Sequence, residues 1–98
     1  MKSIYTTAVF DAWFESLRDK PTARRIQARI DRAEVGNLGD HKAVGEGVSE
    51  MRIHHGPGIR IYFTQRGLEI VILLAGGDKS SQSKDIETAL ELARQLKE

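Results

Sequence analysis

Two neighbouring segments of the sequence carry basic and titratable residues at alternating positions. Arg52 and His54 are separated by one residue in the first segment, as are Arg60 and Tyr62 in the second. Because successive side chains of a strand point to opposite faces, each pair shares a face if both segments are strands. Arginines present forked donors that match phosphate oxygens, and histidine titrates near neutral pH. The spacing therefore indicates a surface suited to binding a phosphate and moving protons.

The register of this predicted hairpin follows from the turn between its strands. If the three residues Gly56–Gly58 form the loop, His54 lies opposite Arg60 and Arg52 lies opposite Tyr62. Directly opposed pairs in an antiparallel ladder lie about 5 Å apart. All four side chains then form one compact cluster.

Two other interpretations of the same stretch are open. An ordinary solvated sheet face needs only a few ion pairs, with Glu50 as the partner of the arginines. A metal site at His54 and His55 is disfavoured, because neighbours on a strand diverge and His41 is isolated. We predict no metal and no other cofactor, and we interpret His55 as a residue that flanks the turn.

The elements that must position these residues follow from the hydrophobic periodicity. The first half predicts a short strand within 2–6 and two helices, from Thr6 or Thr7 to about Leu17 and from Thr22 to about Val35. The second half predicts strands over 41–44, 48–55, 59–65 and 68–75, then a helix from Ser83. The order β-α-α-β-β-β-β-α is an α+β fold, with a curved antiparallel sheet that carries the N-terminal helical hairpin on one face.

Length and composition limit the protein further. The 98 residues are predicted to form a single domain, 1–98, with a net charge of +1. The absence of cysteine excludes disulfides and thiolate chemistry. The longest apolar run covers only 70–75, which is too short to span a membrane. We therefore expect a cytoplasmic protein.

One segment is distinctly basic. From Arg18 to Arg32 six cationic side chains stand against two carboxylates. Such a segment attracts polyanions, and within it Arg24 and Arg25 are candidate contacts to RNA. A solvated helix face is the alternative.

The stretch 50–63 (EMRIHHGPGIRIYF) and the stretch 73–80 (LLAGGDKS) resemble toxins known as HigB-like addiction-module killer proteins. These belong to the RelE/ParE superfamily. Segments 36–40 and 44–48 also fit, so the resemblance covers nearly the whole chain. It implies the same fold and an endoribonuclease toxin, an mRNA interferase of a type II toxin-antitoxin system that cuts messenger RNA on the ribosome and inhibits translation. It implies no metal or cofactor, because the 2′-hydroxyl of the RNA attacks the adjacent phosphate.

The resemblance also implies residue roles, carried over by motif position. Arg60 and Lys79 would hold the scissile phosphate and its transition-state charge. His54 would move protons, and Arg52 would position the RNA backbone or tune His54. Tyr62 would stack on a base.

The chain departs from the better-known nucleases of this group at the start of its last helix. Residues 80–85 (SSQSKD) contain neither tyrosine nor histidine, so a second acid or base is unassigned. A ParE-like inhibitor of DNA gyrase and an inactive toxin-fold binding module therefore remain as alternatives. The partners implied are a cognate antitoxin, expected to be a helix-turn-helix protein, together with the ribosome and mRNA. Operator DNA would be bound only through the antitoxin, and no membrane is involved.

Overall fold

The computed structural model describes residues 1–97. The elements in chain order are β1 (Ser3–Thr6), α1 (Ala8–Glu15), α2 (Lys20–Glu34), β2 (His41–Gly45), β3 (Val48–Ile53), β4 (Ile59–Arg66), β5 (Ile70–Asp78), a 3-10 turn (Lys79–Ser81) and α3 (Gln82–Leu96). This succession confirms the predicted fold class. Within the described range no helix is both long enough and apolar enough to cross a membrane.

Local sequence signals explain where the first helices begin and end. The Thr7 hydroxyl caps α1 by accepting a hydrogen bond from Phe10 N at 3.0 Å. Asp19 caps α2, which begins two residues earlier than predicted because Pro21 fits the first turn of a helix. Gly36, with a φ of +94°, follows the last residues of α2 as expected of a glycine that ends a helix.

The sheet is covered on both faces. Helices α1 and α2 pack on one face, where Phe10 and Ile26 are buried against strand residues such as Ile61. Helix α3 packs on the other face and buries Ala89 against Tyr62. The predicted helical hairpin on one face is confirmed, and β5 is central and largely buried, as its apolar sequence indicated.

The strand order is β1-β5-β4-β3-β2, and the sheet is mixed. Strands β2 to β5 form the predicted antiparallel meander, but β1 pairs with β5 in parallel, so the sheet is not wholly antiparallel. The parallel pairing continues into α1. Thr7 N donates to Leu73 O at 3.1 Å, and the Thr7 hydroxyl donates to Leu74 O at 2.7 Å. The first helix therefore starts beside the middle of β5.

The register of the β3–β4 hairpin differs from the prediction by two residues. Arg52 pairs with Arg60, and Ile53 with Ile59, so the loop comprises 54–58 instead of Gly56–Gly58 alone. Gly58 N donates to His55 O at 3.1 Å, which closes a turn around Pro57, a residue with no N–H for a ladder. A shift of two leaves every side chain on its predicted face, but it places His54 outside the ladder.

Candidate functional site

Arg60 is the most buried of the cationic side chains near the hairpin, at 8% exposure. It opens β4, and α3 covers the face to which it points. Its Nη1 donates to Ile59 O at 3.4 Å, and its Nε lies 3.9 Å from Glu50 Oε1. Within residues 1–97, Nε has no hydrogen-bond acceptor. This guanidinium is thus buried with few partners.

Lys79 approaches Arg60 across a glycine. It follows β5, and its side chain lies over Gly58, where a Cβ would stand 3.0 Å from Lys79 Cδ and 3.8 Å from Arg60 Nη1. Gly58 also has a φ of +82°, which L side chains rarely adopt. A larger residue here would be strained and would displace the Lys79 side chain, so Gly58 allows Lys79 to lie against the hairpin loop beside Arg60.

A cavity of about 430 Å³ unites these groups, and we call it the cationic pocket. Its lining residues are His54, His55, Gly56, Pro57, Gly58, Arg60 and Lys79. Three of the four predicted catalytic residues therefore meet in one cavity, whose lining contains no carboxylate. Arg52, the fourth, does not line it.

Arg52 and His54 are joined by a residue that the sequence analysis missed, Asp40. Arg52 Nη2 donates to Asp40 Oδ1 at 2.6 Å, and His54 Nε2 lies 2.9 Å from Asp40 Oδ2. These bonds, first from Arg52 and then from His54, hold the pKa of Asp40 below its ordinary value. The partner of Arg52 is therefore Asp40 and not Glu50.

A signal for Asp40 was present in the sequence. A turn centred on Glu46 pairs His41 with Met51 across β2 and β3. Continuing that ladder by one residue places Asp40 opposite Arg52, and Arg52 N donates to Asp40 O at 2.8 Å. The β2–β3 register therefore predicts this ion pair.

Arg29 holds the backbone around Asp40. Its guanidinium donates to Arg52 O at 2.7 Å, to Leu38 O at 3.0 Å and to Asp40 O at 3.2 Å. Gly39 has a φ of +65°, and a Cβ there would lie 2.6 Å from Arg29 Nη2, so a larger residue would be strained and would displace the Arg29 guanidinium. Burial lowers the pKa of Arg29. Unlike its exposed neighbours on α2, this arginine points into the protein.

The expected role of Tyr62 is wrong for this conformation. Tyr62 is 0% exposed beneath α3, so its ring is unavailable for stacking on a base. Burial first, and then the nearby Glu50 carboxylate, raise the pKa of Tyr62. Glu50 is also buried, and Gln82 Nε2 on α3 donates to its Oε2 at 3.0 Å. The polar face of the hairpin is therefore half covered by α3.

His55 flanks the turn as predicted, but the sequence analysis did not place it in the cationic pocket. It lines the cationic pocket, its side chain is 24% exposed, and its Nε2 lies 3.8 Å from Asp19 Oδ2. The Thr22 hydroxyl, and more weakly His55, hold the pKa of Asp19 below its ordinary value. Each of the two pocket histidines thus has its own carboxylate partner.

Arg24 and Arg25 lie on the exposed side of α2 and do not line the cationic pocket. Their contact with RNA stays a prediction. His54 and His55 face different carboxylates, and residues 1–97 hold no group of three or more potential metal ligands.

The fold and the site define a small α+β protein with a cationic pocket between a hairpin loop and the end of the central strand. Residues 12–98 match the family described as phage-derived protein Gp49-like (DUF891). The chain belongs to this family, which is a toxin-like addiction-module family. A protein of Haemophilus influenzae strain Rd, described as uncharacterized, is 46% identical over 93 residues, or 95% of this chain and 94% of that protein.

Proposed function

We propose that this chain is the toxin of a type II toxin-antitoxin pair, a HigB-like member of the RelE/ParE superfamily that cuts messenger RNA on the ribosome. A cognate antitoxin, expected to be a helix-turn-helix protein, would neutralise it. The family supports a toxin, and the cationic pocket supports chemistry on a phosphate.

The observation that carries this proposal is the state of Arg60. A guanidinium removed from water costs free energy unless anions or acceptors surround it. Arg60 is 92% buried but has one weak hydrogen bond and a carboxylate 3.9 Å away. A phosphate in the pocket would receive the forked donors of Arg60 and the charge of Lys79. Both groups would then stabilise the charge that develops on the phosphate in the transition state.

His54 is positioned to act as the base. A carboxylate accepts hydrogen bonds and cannot donate them, so the bond to Asp40 requires a proton on His54 Nε2. In neutral His54 the lone pair is therefore on Nδ1. We propose that Nδ1 takes the proton of the RNA 2′-hydroxyl as its oxygen attacks phosphorus. The bond from phosphorus to the 5′-oxygen breaks, which leaves a 2′,3′-cyclic phosphate.

His55 would supply the proton that the leaving 5′-oxygen needs. It lines the same pocket as His54, and its Nε2 lies 3.8 Å from the Asp19 carboxylate. Residues 80–85 contain neither tyrosine nor histidine, so we assign the second acid or base to His55 in the hairpin loop. One histidine gains a proton and the other loses one, so the reaction needs no net proton.

Cleavage in a translating extract tests the proposal. Primer extension should show new 5′ ends with the purified protein, and His54→Gln and His55→Gln should each reduce cleavage about 10²- to 10⁴-fold. His41→Gln is the matched control, because His41 is exposed and outside the pocket.

Two outcomes would reject this proposal. Inhibition of gyrase supercoiling without any RNA cleavage would assign the protein to the ParE-like alternative. Stable binding of an antitoxin with neither activity would leave an interaction module.

A further inference from the structure

A second cavity adjoins the cationic pocket, and Pro57 lines both. It measures about 460 Å³, within the range of roughly 300–1,000 Å³ typical of small-molecule sites. The cavity follows β5 from Gly76 to Asp78, beyond the point at Leu73 where its pairing with β1 ends. No other strand within residues 1–97 pairs with this edge of β5. We call this cavity the mixed cleft.

The walls of the mixed cleft combine apolar surface with carboxylates. Trp13, Leu17 and Ile59 contribute apolar surface. The charged lining residues are three carboxylates and one cation, namely Asp19, Asp78, Asp85 and Arg18. The neighbouring cationic pocket has the opposite character, with two histidines, an arginine and a lysine but no carboxylate. The His55–Asp19 pair stands between the two cavities, because each of its members lines one of them.

Two consecutive glycines shape the mixed cleft. A Cβ on Gly76 would collide with the indole ring of Trp13, and a Cβ on Gly77 would collide with the carboxylate of Asp85. Successive strand residues face opposite sides, so these glycines seat an aromatic ring on one side and an acid on the other. The Ser81 hydroxyl donates to Asp85 Oδ2 at 2.5 Å and orients that acid.

We infer that the mixed cleft binds the nucleobase of the RNA nucleotide whose phosphate lies in the cationic pocket, and that it selects guanine. This inference rests on the proposed function. A nucleotide has the same division as the two cavities, with an anion at one end and a flat ring bearing N–H groups at the other. Single-stranded RNA is recognised by packing of the base face and hydrogen bonds to the base edge.

Guanine fits these carboxylates best. Its Watson–Crick edge presents two adjacent donors, N1–H and the amino group, and a carboxylate can accept from both. Uracil presents one N–H between two carbonyls, which carboxylates repel. Asp19 Oδ2 already accepts two hydrogen bonds, from Thr22 N and from the Thr22 hydroxyl, so the guanine donors would meet Asp19 Oδ1, to which no described residue donates.

Trp13 provides a direct test, because it is the chain's one tryptophan and lines the mixed cleft. The purified full chain is titrated with guanosine 3′-monophosphate, uridine 3′-monophosphate and inorganic phosphate, and Trp13 fluorescence is recorded. We expect the guanosine nucleotide to change the emission and to bind about tenfold or more tightly than the uridine nucleotide. Inorganic phosphate should leave the emission unchanged while competing with both nucleotides.

Asp19→Asn is the informative variant, because asparagine still caps a helix but presents an amide donor. It should lose most of the preference for guanine, whereas Asp11→Asn, on an exposed part of α1, should keep that preference. Equal binding of both nucleotides, or no Trp13 response to the guanosine nucleotide, would overturn the base site. Phosphate binding that depends on Arg60 would then still support the proposed function, so the two failures are distinguishable.

Discussion

Replacing Arg60 by methionine is expected to weaken both folding and RNA cleavage, whereas adding Glu50→Gln should restore folding alone. Arg60 Nε lies 3.9 Å from Glu50 Oε1, and Glu50 is 1% exposed. At about 4 Å, opposite charges attract by about 4 kcal/mol at an effective dielectric constant near 20. Desolvation of both groups offsets part of that attraction.

The cost of the single substitution follows from what Glu50 retains. Removing one partner of a buried pair typically costs about 3–5 kcal/mol. Glu50 keeps a hydrogen bond from Gln82 at 3.0 Å and a half-exposed Lys42 at 3.9 Å. We therefore expect R60M to lose about 2–4 kcal/mol of unfolding free energy. In R60M/E50Q the buried charge is gone and the methionine fills the space, so most of that loss should be recovered.

Urea denaturation followed by fluorescence gives the stabilities, and cleavage in a translating extract gives the activities. Loss of a donor to the transition-state phosphate should reduce cleavage about 10²- to 10³-fold in both R60M and R60M/E50Q. E50Q alone is the control that keeps Arg60. If the double variant cleaved RNA at the wild-type rate, Arg60 would not contact the phosphate and the reasoning would be refuted.

Three further predictions concern the residues around the pocket. Tyr62→Phe should stabilise the fold by about 1 kcal/mol, because no residue within 1–97 hydrogen-bonds the buried hydroxyl. Burial raises the pKa of Tyr62, so the folded state disfavours the ionised phenol. Tyrosine in the unfolded chain ionises near pH 10, and from there the free energy of unfolding falls as pH rises. Y62F should therefore resist alkaline unfolding better. The pKa of Asp40 is lowered mainly by Arg52, so ionised Asp40 stabilises the fold above about pH 4, and this stabilisation is lost in acid. Asp40→Asn should remove that acid-sensitive component from pH-dependent denaturation curves. Gly39→Ala should cost about 1–2 kcal/mol in urea denaturation, because φ is +65° and the methyl group would collide with Arg29; an unchanged midpoint would contradict this account.

The identity and order of the elements could be predicted from the sequence because those properties depend on neighbouring residues. Period-two alternation places Arg52 and Arg60 on one face of the hairpin, and the structure agrees. Thr7 and Gly36 carry capping preferences that act within a single turn of helix. The apolar run of β5 predicted a strand covered on both faces, which it is. Each of these inferences needed only short-range chemistry.

The pocket itself was decided by tertiary structure. Alternation cannot distinguish registers that differ by two residues, so the loop conformation around Pro57 decided that Arg52, and not His54, pairs with Arg60. Alternation also assigns a face without saying what covers it. Helix α3 buries Tyr62, although nothing in its own strand distinguishes it from an exposed tyrosine.

The carboxylate partners of Arg52, His54 and His55 also could not be predicted from local sequence. Asp40 reaches Arg52 and His54 across a strand pairing, and Asp19 reaches His55 from the start of a helix on one face of the sheet. These contacts join residues far apart in sequence, and charge attraction alone does not select one acid among the 14 in the chain. The sequence by itself determined which residue types and elements were available for chemistry. Only the packing of elements distant along the chain decided which of these residues meet, because contact between them depends on the tertiary fold and not on local conformational preference.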